Sequence, residues 1–245
     1  MDLSVVVPAY RQEATIVEDV GRIALALQVS KLSYELLVVV DGFVDGTYDR
    51  AVSLESDRVK ILGYGQNGGK GHAVRFGMRH AKGDLVAFLD AGMDLDPAGL
   101  VEAVRRLKEA GANVAIGSKR HPDSQVQYPP LRRLYSVVYQ SLVWCLFGLN
   151  VRDTQVGLKV FERHVVAEVL PLLLVKRFAF DVEMLVVAHQ LGYGRIIESP
   201  VALTHGKFPS TIRLSSIFDM LWDTAAVFYR ANILRYYVRL ARRLC

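Results

Sequence analysis

This sequence predicts an α/β fold: a mostly parallel sheet with helices on both faces. Three observations carry the prediction. Short apolar runs at 3–7, 36–40 and 85–89 read as strands buried on both sides. Helical periodicity fills the spans between them. Each run then stops at a proline, an aspartate or a glycine-rich stretch, as strand ends do at the ligand rim of an open sheet.

The first strand, Leu3 to Val7, stops at Pro8. Thr15 and Glu18 have capping-box spacing, and Ile16, Val20, Ile23 and Leu27 form the apolar stripe of the helix that follows. The next strand runs from Glu35 to Val40 and ends on Asp41. A helix through Ala51 leads to a strand at 59–62, a glycine loop from Gly63 to Gly71, and a helix from His72 to Ala81. The strand 84–89 ends on Asp90. Pro97 opens a helix that stops near Gly111, and Val114 to Ile116 closes the series. Beyond it, helices are expected from Leu131 to Leu149 and from Phe178 to Gln190, and a turn plus strand over 192–204. One long closing helix is expected from Ser216 to Leu244, with Ser216 and Asp219 as its capping pair.

The chain has 245 residues, of which 51% are hydrophobic, enough for one large domain or a core domain with an appendage. A net charge of +5 suits an anionic partner such as a nucleotide, a phospholipid surface or nucleic acid. Two cysteines without ligand spacing argue against a disulfide framework and fit a reducing compartment. No signal peptide is visible, and the longest apolar stretch, 137–149, is too short to span a bilayer.

The strand ends converge on one rim. Asp41 can accept hydrogen bonds from a ribose or base, or cap a turn. In Gln66 to Gly71 the glycines let backbone N–H groups approach an anion and Lys70 adds charge, although the spacing is not that of a Walker loop. Asp90, Asp94 and Asp96 lie close enough to repel one another unless a cation or basic groups neutralise them. Asp96 reads as a cap ahead of Pro97, which does not account for Asp90. Lys119, Arg120, Arg132 and Arg133 form a basic cluster suited to phosphate, or to a solvated face. In the last helix Arg235, Arg239, Arg242 and Arg243 fall opposite Trp222, Ala226, Tyr229, Ile233, Leu240 and Leu244. That pattern suits the surface of an anionic membrane.

Val6 to Tyr10 with Glu13, the segment 41–47, Gly69-Lys70-Gly71 and the Asp90 segment resemble, in order and spacing, glycosyltransferase family 2 with its GT-A fold. Two further segments, 153–161 and 178–185, are similar to the polyprenyl-phosphate glycosyltransferases of that family, such as dolichyl-phosphate glucosyl- and mannosyltransferases. The resemblance implies inverting transfer of glucose or mannose from a UDP- or GDP-hexose to a polyprenyl phosphate, dolichyl or undecaprenyl. It implies a GT-A domain over 1–215 and a basic amphipathic, membrane-interfacial helix over 216–245. The enzyme would be peripheral on the cytoplasmic face, with no nucleic-acid partner. Pro8, Ala9, Tyr10, Glu13, Asp41 and Lys70 match donor-contacting positions. Asp90 matches the first acid of the family's metal motif. The second acid falls at Gly92, so Asp90 and Asp94 are the expected ligands of Mg2+ or Mn2+. Arg120, Arg132 and Arg133 are expected at the acceptor phosphate. Asp153, Gln155 and Glu183 are expected to position sugar hydroxyls or to brace basic side chains. A nucleotide-sugar-binding protein that has lost catalysis, or a nucleotidyltransferase, is the alternative reading.

Overall fold

β-branched and leucine runs form strands here because both of their faces find cover. The computed structural model describes residues 1–92, 95–126, 130–177, 179–203 and 214–244, the side chains of 130–132 and 214–217 excepted. Strands β1 (Leu3–Ala9), β2 (Tyr34–Asp41), β3 (Val59–Tyr64) and β4 (Leu85–Leu89) are joined by helices α1 (Ile16–Val29), α2 (Thr47–Val52) and α3 (Lys70–His80). Helix α4 (Ala98–Ala110) leads to β5 (Val114–Ser118), and Gly111 ends it in the left-handed region at φ 56°. Then come α5 (Pro130–Phe147), β6 (Leu158–Glu162), α6 (Arg163–Val169), α7 (Phe180–Gln190), β7 (Ile196–Pro200), α8 (Leu214–Phe228) and α9 (Tyr236–Leu244).

The sheet has seven strands in the order β3-β2-β1-β4-β6-β5-β7. All neighbours are parallel except β6, which runs against both β4 and β5. Side chains alternate between two cores. Val6, Leu37, Val39 and Phe88 pack with α3 and α7 on one face, while Val5, Leu36, Val38 and Leu89 pack with α1 and α4 on the other. Burying each such side chain contributes about 1.5–3 kcal/mol.

The predicted mostly parallel sheet is the observed one, and several local expectations change. The antiparallel strand β6 has no counterpart in the expected elements. It is only five residues long and its apolar run is interrupted by Lys159, so it carries a weak strand signal. Helix α3 starts at Lys70, two residues before the expected His72. Thr15 makes no side-chain capping bond, and the Gln12 carbonyl accepts the Thr15 and Ile16 N–H groups in a tight turn. The single closing helix is instead two, separated by a π-helical turn over 229–233 and by Arg235 at φ 49°. That break resets the helical phase. Tyr237 becomes wholly buried, Leu240 packs on the core, and Tyr229 and Ile233 are exposed. Ser216 belongs to the residues whose side chains are outside the description. Among the described residues no helix is long and apolar enough to cross a membrane.

Candidate active site

The carboxyl ends of β1, β2 and β4 lie side by side, because these strands pair in parallel register. Pro8 lies within β1 opposite Val39, and Ala9 is buried opposite Val40. Beyond them Tyr10 is half exposed, with the Arg11 guanidinium 5.4 Å from its ring centre. The chain then docks on the loop after β2. The Gln12 N–H donates to Thr47 Oγ1 at 2.8 Å, and the Gly46 N–H donates to Glu13 at 3.1 Å.

Asp41 is buried at the end of β2 and organises the glycine loop. Its carboxylate accepts the N–H groups of Gly68 (2.6 Å) and Gly69 (2.9 Å), the Asn67 amide (2.9 Å) and the Tyr64 hydroxyl (2.9 Å). Burial, then the hydrogen bond to Asp41 and its charge, pushes the Tyr64 phenol well above its ordinary value. Gly42 and Gly69 adopt φ 88° and 91°, which other residues rarely reach. A Cβ on Gly69 would also come within 2.6 Å of the Lys176 carbonyl, the group that accepts the Gly71 N–H at 2.9 Å. In this structure Asp41 therefore shapes the loop that faces the site.

Asp90 follows β4. Its N–H donates to the Gly157 carbonyl at 2.9 Å, and a Cβ on Gly157 would overlap its carboxylate. Lys70 Nζ donates to Asp90 Oδ2 at 2.9 Å and to Asp181 Oδ2 at 3.3 Å. Lys159 Nζ donates to Asp181 Oδ1 at 2.6 Å. Burial opposes the Lys70 charge, but Asp181 and Asp90 outweigh it and raise its pKa above the ordinary lysine value. At Lys159 burial wins and lowers the pKa, with Asp181 pulling back. Asp90 Oδ1 is shielded from solvent and meets no donor. A carboxylate oxygen left in that state fits a hard cation. Among the described residues no group of three or more His, Cys, Asp or Glu is placed to hold a metal ion. Asp94, the other expected ligand, lies outside the described residues. Gly92 is exposed, and a Cβ there meets only Gln12 Nε2 at 3.8 Å.

The segment before β6 comes to the same rim. Asp153 accepts the N–H groups of Lys119 (3.3 Å) and Gln155 (3.2 Å), and burial raises its pKa. The Gln155 amide nitrogen is buried without an acceptor. Arg120 donates to the Arg152 carbonyl at 3.0 Å, and Arg133 stands exposed on α5. The side chain of Arg132 is outside the description.

Glu183 is elsewhere. It is buried on α7, accepting the Leu174 and Val175 N–H groups (3.0 and 2.8 Å) and the Tyr237 hydroxyl (2.6 Å), with Arg230 at 3.8 Å. Its contacts are to the backbone at 174–175, Tyr237 and Arg230. Sequence reasoning missed Lys159 and Asp181. The available signal was a lysine between Leu158 and Val160, on the strand face shared with buried Phe161.

Residues 4–170 match the family described as Glycosyl transferase family 2. The chain belongs to glycosyl transferase family 2. The dolichyl-phosphate beta-glucosyltransferase of Drosophila melanogaster is 32% identical over 209 residues, covering 78% of this chain and 64% of that protein. The human protein of the same description is 32% identical over 207 residues, covering 76% and 62%. The match thus spans a little under two thirds of these relatives' length. Among solved structures, glucosyl-3-phosphoglycerate synthase from Mycobacterium tuberculosis, in complex with Mn2+, UDP and phosphoglyceric acid, aligns with a TM-score of 0.70. It is 21% identical and covers 93% of this chain and 77% of that one, a likeness of fold. That fold is the GT-A arrangement.

Proposed function

We propose that the protein transfers glucose, with inversion, from UDP-glucose to the phosphate of a polyprenyl lipid such as dolichyl phosphate. The observation that carries this reading is the Asp90 carboxylate at the rim, with one oxygen gripped by Lys70 and the other without a partner. The names of the fly and human relatives support the sugar and the acceptor, and the UDP- and Mn2+-bound fold neighbour supports the donor base and the metal.

Asp90, with Asp94, would hold Mg2+ or Mn2+, which when bound stabilises negative charge on the leaving diphosphate. Lys70 adds a fixed ammonium at the same end, and Asp41 holds the glycine loop that leads into it by accepting the Gly68 and Gly69 N–H groups. Pro8, Ala9, Tyr10 and Glu13 would line the nucleoside side. Arg120, Arg132 and Arg133 would grip the acceptor phosphate, while Asp153 and Gln155 orient sugar hydroxyls. An acceptor oxygen attacks the anomeric carbon, and the bond from that carbon to the diphosphate oxygen breaks, its electron pair leaving with UDP. A phosphate monoester is mostly a dianion above a pKa of about 6, so no general base is required.

Exposed apolar side chains on α5 (Leu134, Val138, Trp144) and α8 (Phe218, Trp222) give a lipid surface somewhere to contact. The enzyme would be peripheral, on the cytoplasmic face where nucleotide-sugars are found. The test is a panel of labelled UDP- and GDP-hexoses with short-chain polyprenyl phosphate, with and without Mn2+ or Mg2+. UDP-glucose with metal should give a glucosyl lipid phosphate, and Asp90→Ala should abolish it. Donor binding without transfer from any sugar would instead favour a nucleotide-sugar-binding protein.

A further inference from the structure

Lys159 has no exposed surface, yet it sits mid-strand in β6. A buried ammonium is costly unless paired and hydrogen-bonded. Lys159 has both forms of support: Asp181 Oδ1 at 2.6 Å and the Val156 carbonyl at 2.8 Å. Asp181 turns its second oxygen to Lys70, which grips Asp90. The Phe88 ring lies near both ammonium groups, 5.1 Å from Lys159 and 5.4 Å from Lys70. A continuous polar chain therefore runs from β6 through α7 and α3 to the end of β4. A second route reaches the same carboxylate. Lys159 pins the Val156 carbonyl, and the next residue, Gly157, accepts the Asp90 N–H and abuts its side chain.

The charges of this cluster cancel: Lys70 and Lys159 against Asp90 and Asp181. A divalent cation arriving alone meets, among these four side chains, one free carboxylate oxygen and no net negative charge to attract it. Charges a few ångströms apart in a low-dielectric site interact strongly. A diphosphate brings the missing negative charge. An ammonium also has three protons, and two of those on Lys70 are used by Asp90 and Asp181, which leaves one for a phosphate oxygen.

We propose that Lys159 and Asp181 are positioning residues that keep the Asp90–Lys70 end of the site neutral, so that a divalent cation and a nucleoside diphosphate bind cooperatively rather than independently. The inference rests on the metal-assisted transfer reading above. Each acts through its bonds to Lys70 or to the Val156 carbonyl beside Gly157.

The experiment measures Mn2+ binding to the full chain by the electron paramagnetic resonance of free Mn2+, with and without UDP, in the absence of sugar or acceptor. In the wild type, UDP should tighten Mn2+ binding by about tenfold or more. Lys159→Met leaves the cluster one charge negative, so Mn2+ alone should bind more tightly and the coupling to UDP should shrink. Asp181→Asn leaves it one charge positive, so Mn2+ alone should bind more weakly and UDP alone more tightly. The double variant Lys159→Met/Asp181→Asn is neutral again and should regain wild-type coupling. A role in packing alone would weaken Mn2+ binding in both single variants and most in the double, and that pattern overturns the inference. So does equal Mn2+ affinity with and without UDP in the wild type. Should a single variant fail to fold by circular dichroism, the double variant decides, since it removes the buried pair as a unit. Failure of the metal and nucleotide site itself looks different: the wild type would bind neither Mn2+ nor UDP, and the inference would fall with it, whereas loss of transfer alone leaves the coupling measurable.

Discussion

Gly157 shows how much one missing methyl group can determine. Its hydrogen faces the Asp90 carboxylate, and its carbonyl accepts the Asp90 N–H, so the acid is fixed in both position and direction. Gly157→Ala would force the carboxylate away from Lys70. We expect a loss of transfer on the order of 100-fold, and a stability cost of about 1–3 kcal/mol from overpacking. Steady-state transfer and urea unfolding check the two effects; near-normal transfer would refute the close packing around Asp90. At this scale the sequence was partly legible. Asp41, Lys70 and Asp90 stand out because each ends an apolar run or lies in a glycine loop, where a polar residue has no core role. Their partners were not legible. Nothing local to Asp41 shows that its oxygens accept Gly68 and Gly69, because 27 and 28 positions separate the groups. Lys159 and Asp181 are 22 positions apart and meet only after β6 and α7 have packed.

Among the elements, the carboxyl-terminal pair α8 and α9 departs most from expectation. Helical periodicity extrapolated through 229–235 joins residues that the π turn separates: Arg235, Arg239, Arg242 and Arg243 are exposed, but Tyr229 and Ile233, expected on the opposite apolar side, are exposed as well. Arg230 turns inward to Glu183, and the Tyr237 hydroxyl donates to the same carboxylate. Truncation after Asp223 would therefore leave Glu183 without those partners and uncover the core, and it is a poor test of membrane contact. Point changes on the outer face are better. Trp222 is 79% exposed and Phe218 71%. Sinking such side chains into a lipid surface contributes about 1.5–3 kcal/mol each. Phe218→Glu with Trp222→Glu should therefore lower sedimentation with anionic vesicles at least about tenfold, while transfer to a short-chain, soluble acceptor stays near wild type. Unchanged vesicle binding would place the lipid contact elsewhere.

Across the whole molecule, Glu183 ties three parts together: α7, the backbone at 174–175 that leads to the glycine loop's Lys176 contact, and the closing helix α9. Burial raises its carboxyl above the ordinary 4.5. A raised folded-state value means the folded protein holds the proton more tightly than the unfolded chain. The stability this contributes is complete below 4.5 and is lost as pH rises through the folded value. Glu183→Gln removes the titration and retains an oxygen for the two N–H groups. The stability of wild type relative to this variant should fall as pH rises above 4.5, with a slope of at most about 1.4 kcal/mol per pH unit. Urea unfolding across that range measures it, and a difference that is flat or grows with pH contradicts the assignment. The parallel strands, the rim on which they end and the acids and glycines placed there were set by the sequence alone. Period and punctuation are local properties, and a strand buried on both faces has few other patterns available. The antiparallel insertion of β6, the break between α8 and α9, and the neutral cluster of Lys70, Lys159, Asp90 and Asp181 were decided by tertiary structure. Each depends on groups distant in the chain meeting inside a low-dielectric core, where an unpaired charge or unsatisfied backbone costs more than any local preference supplies.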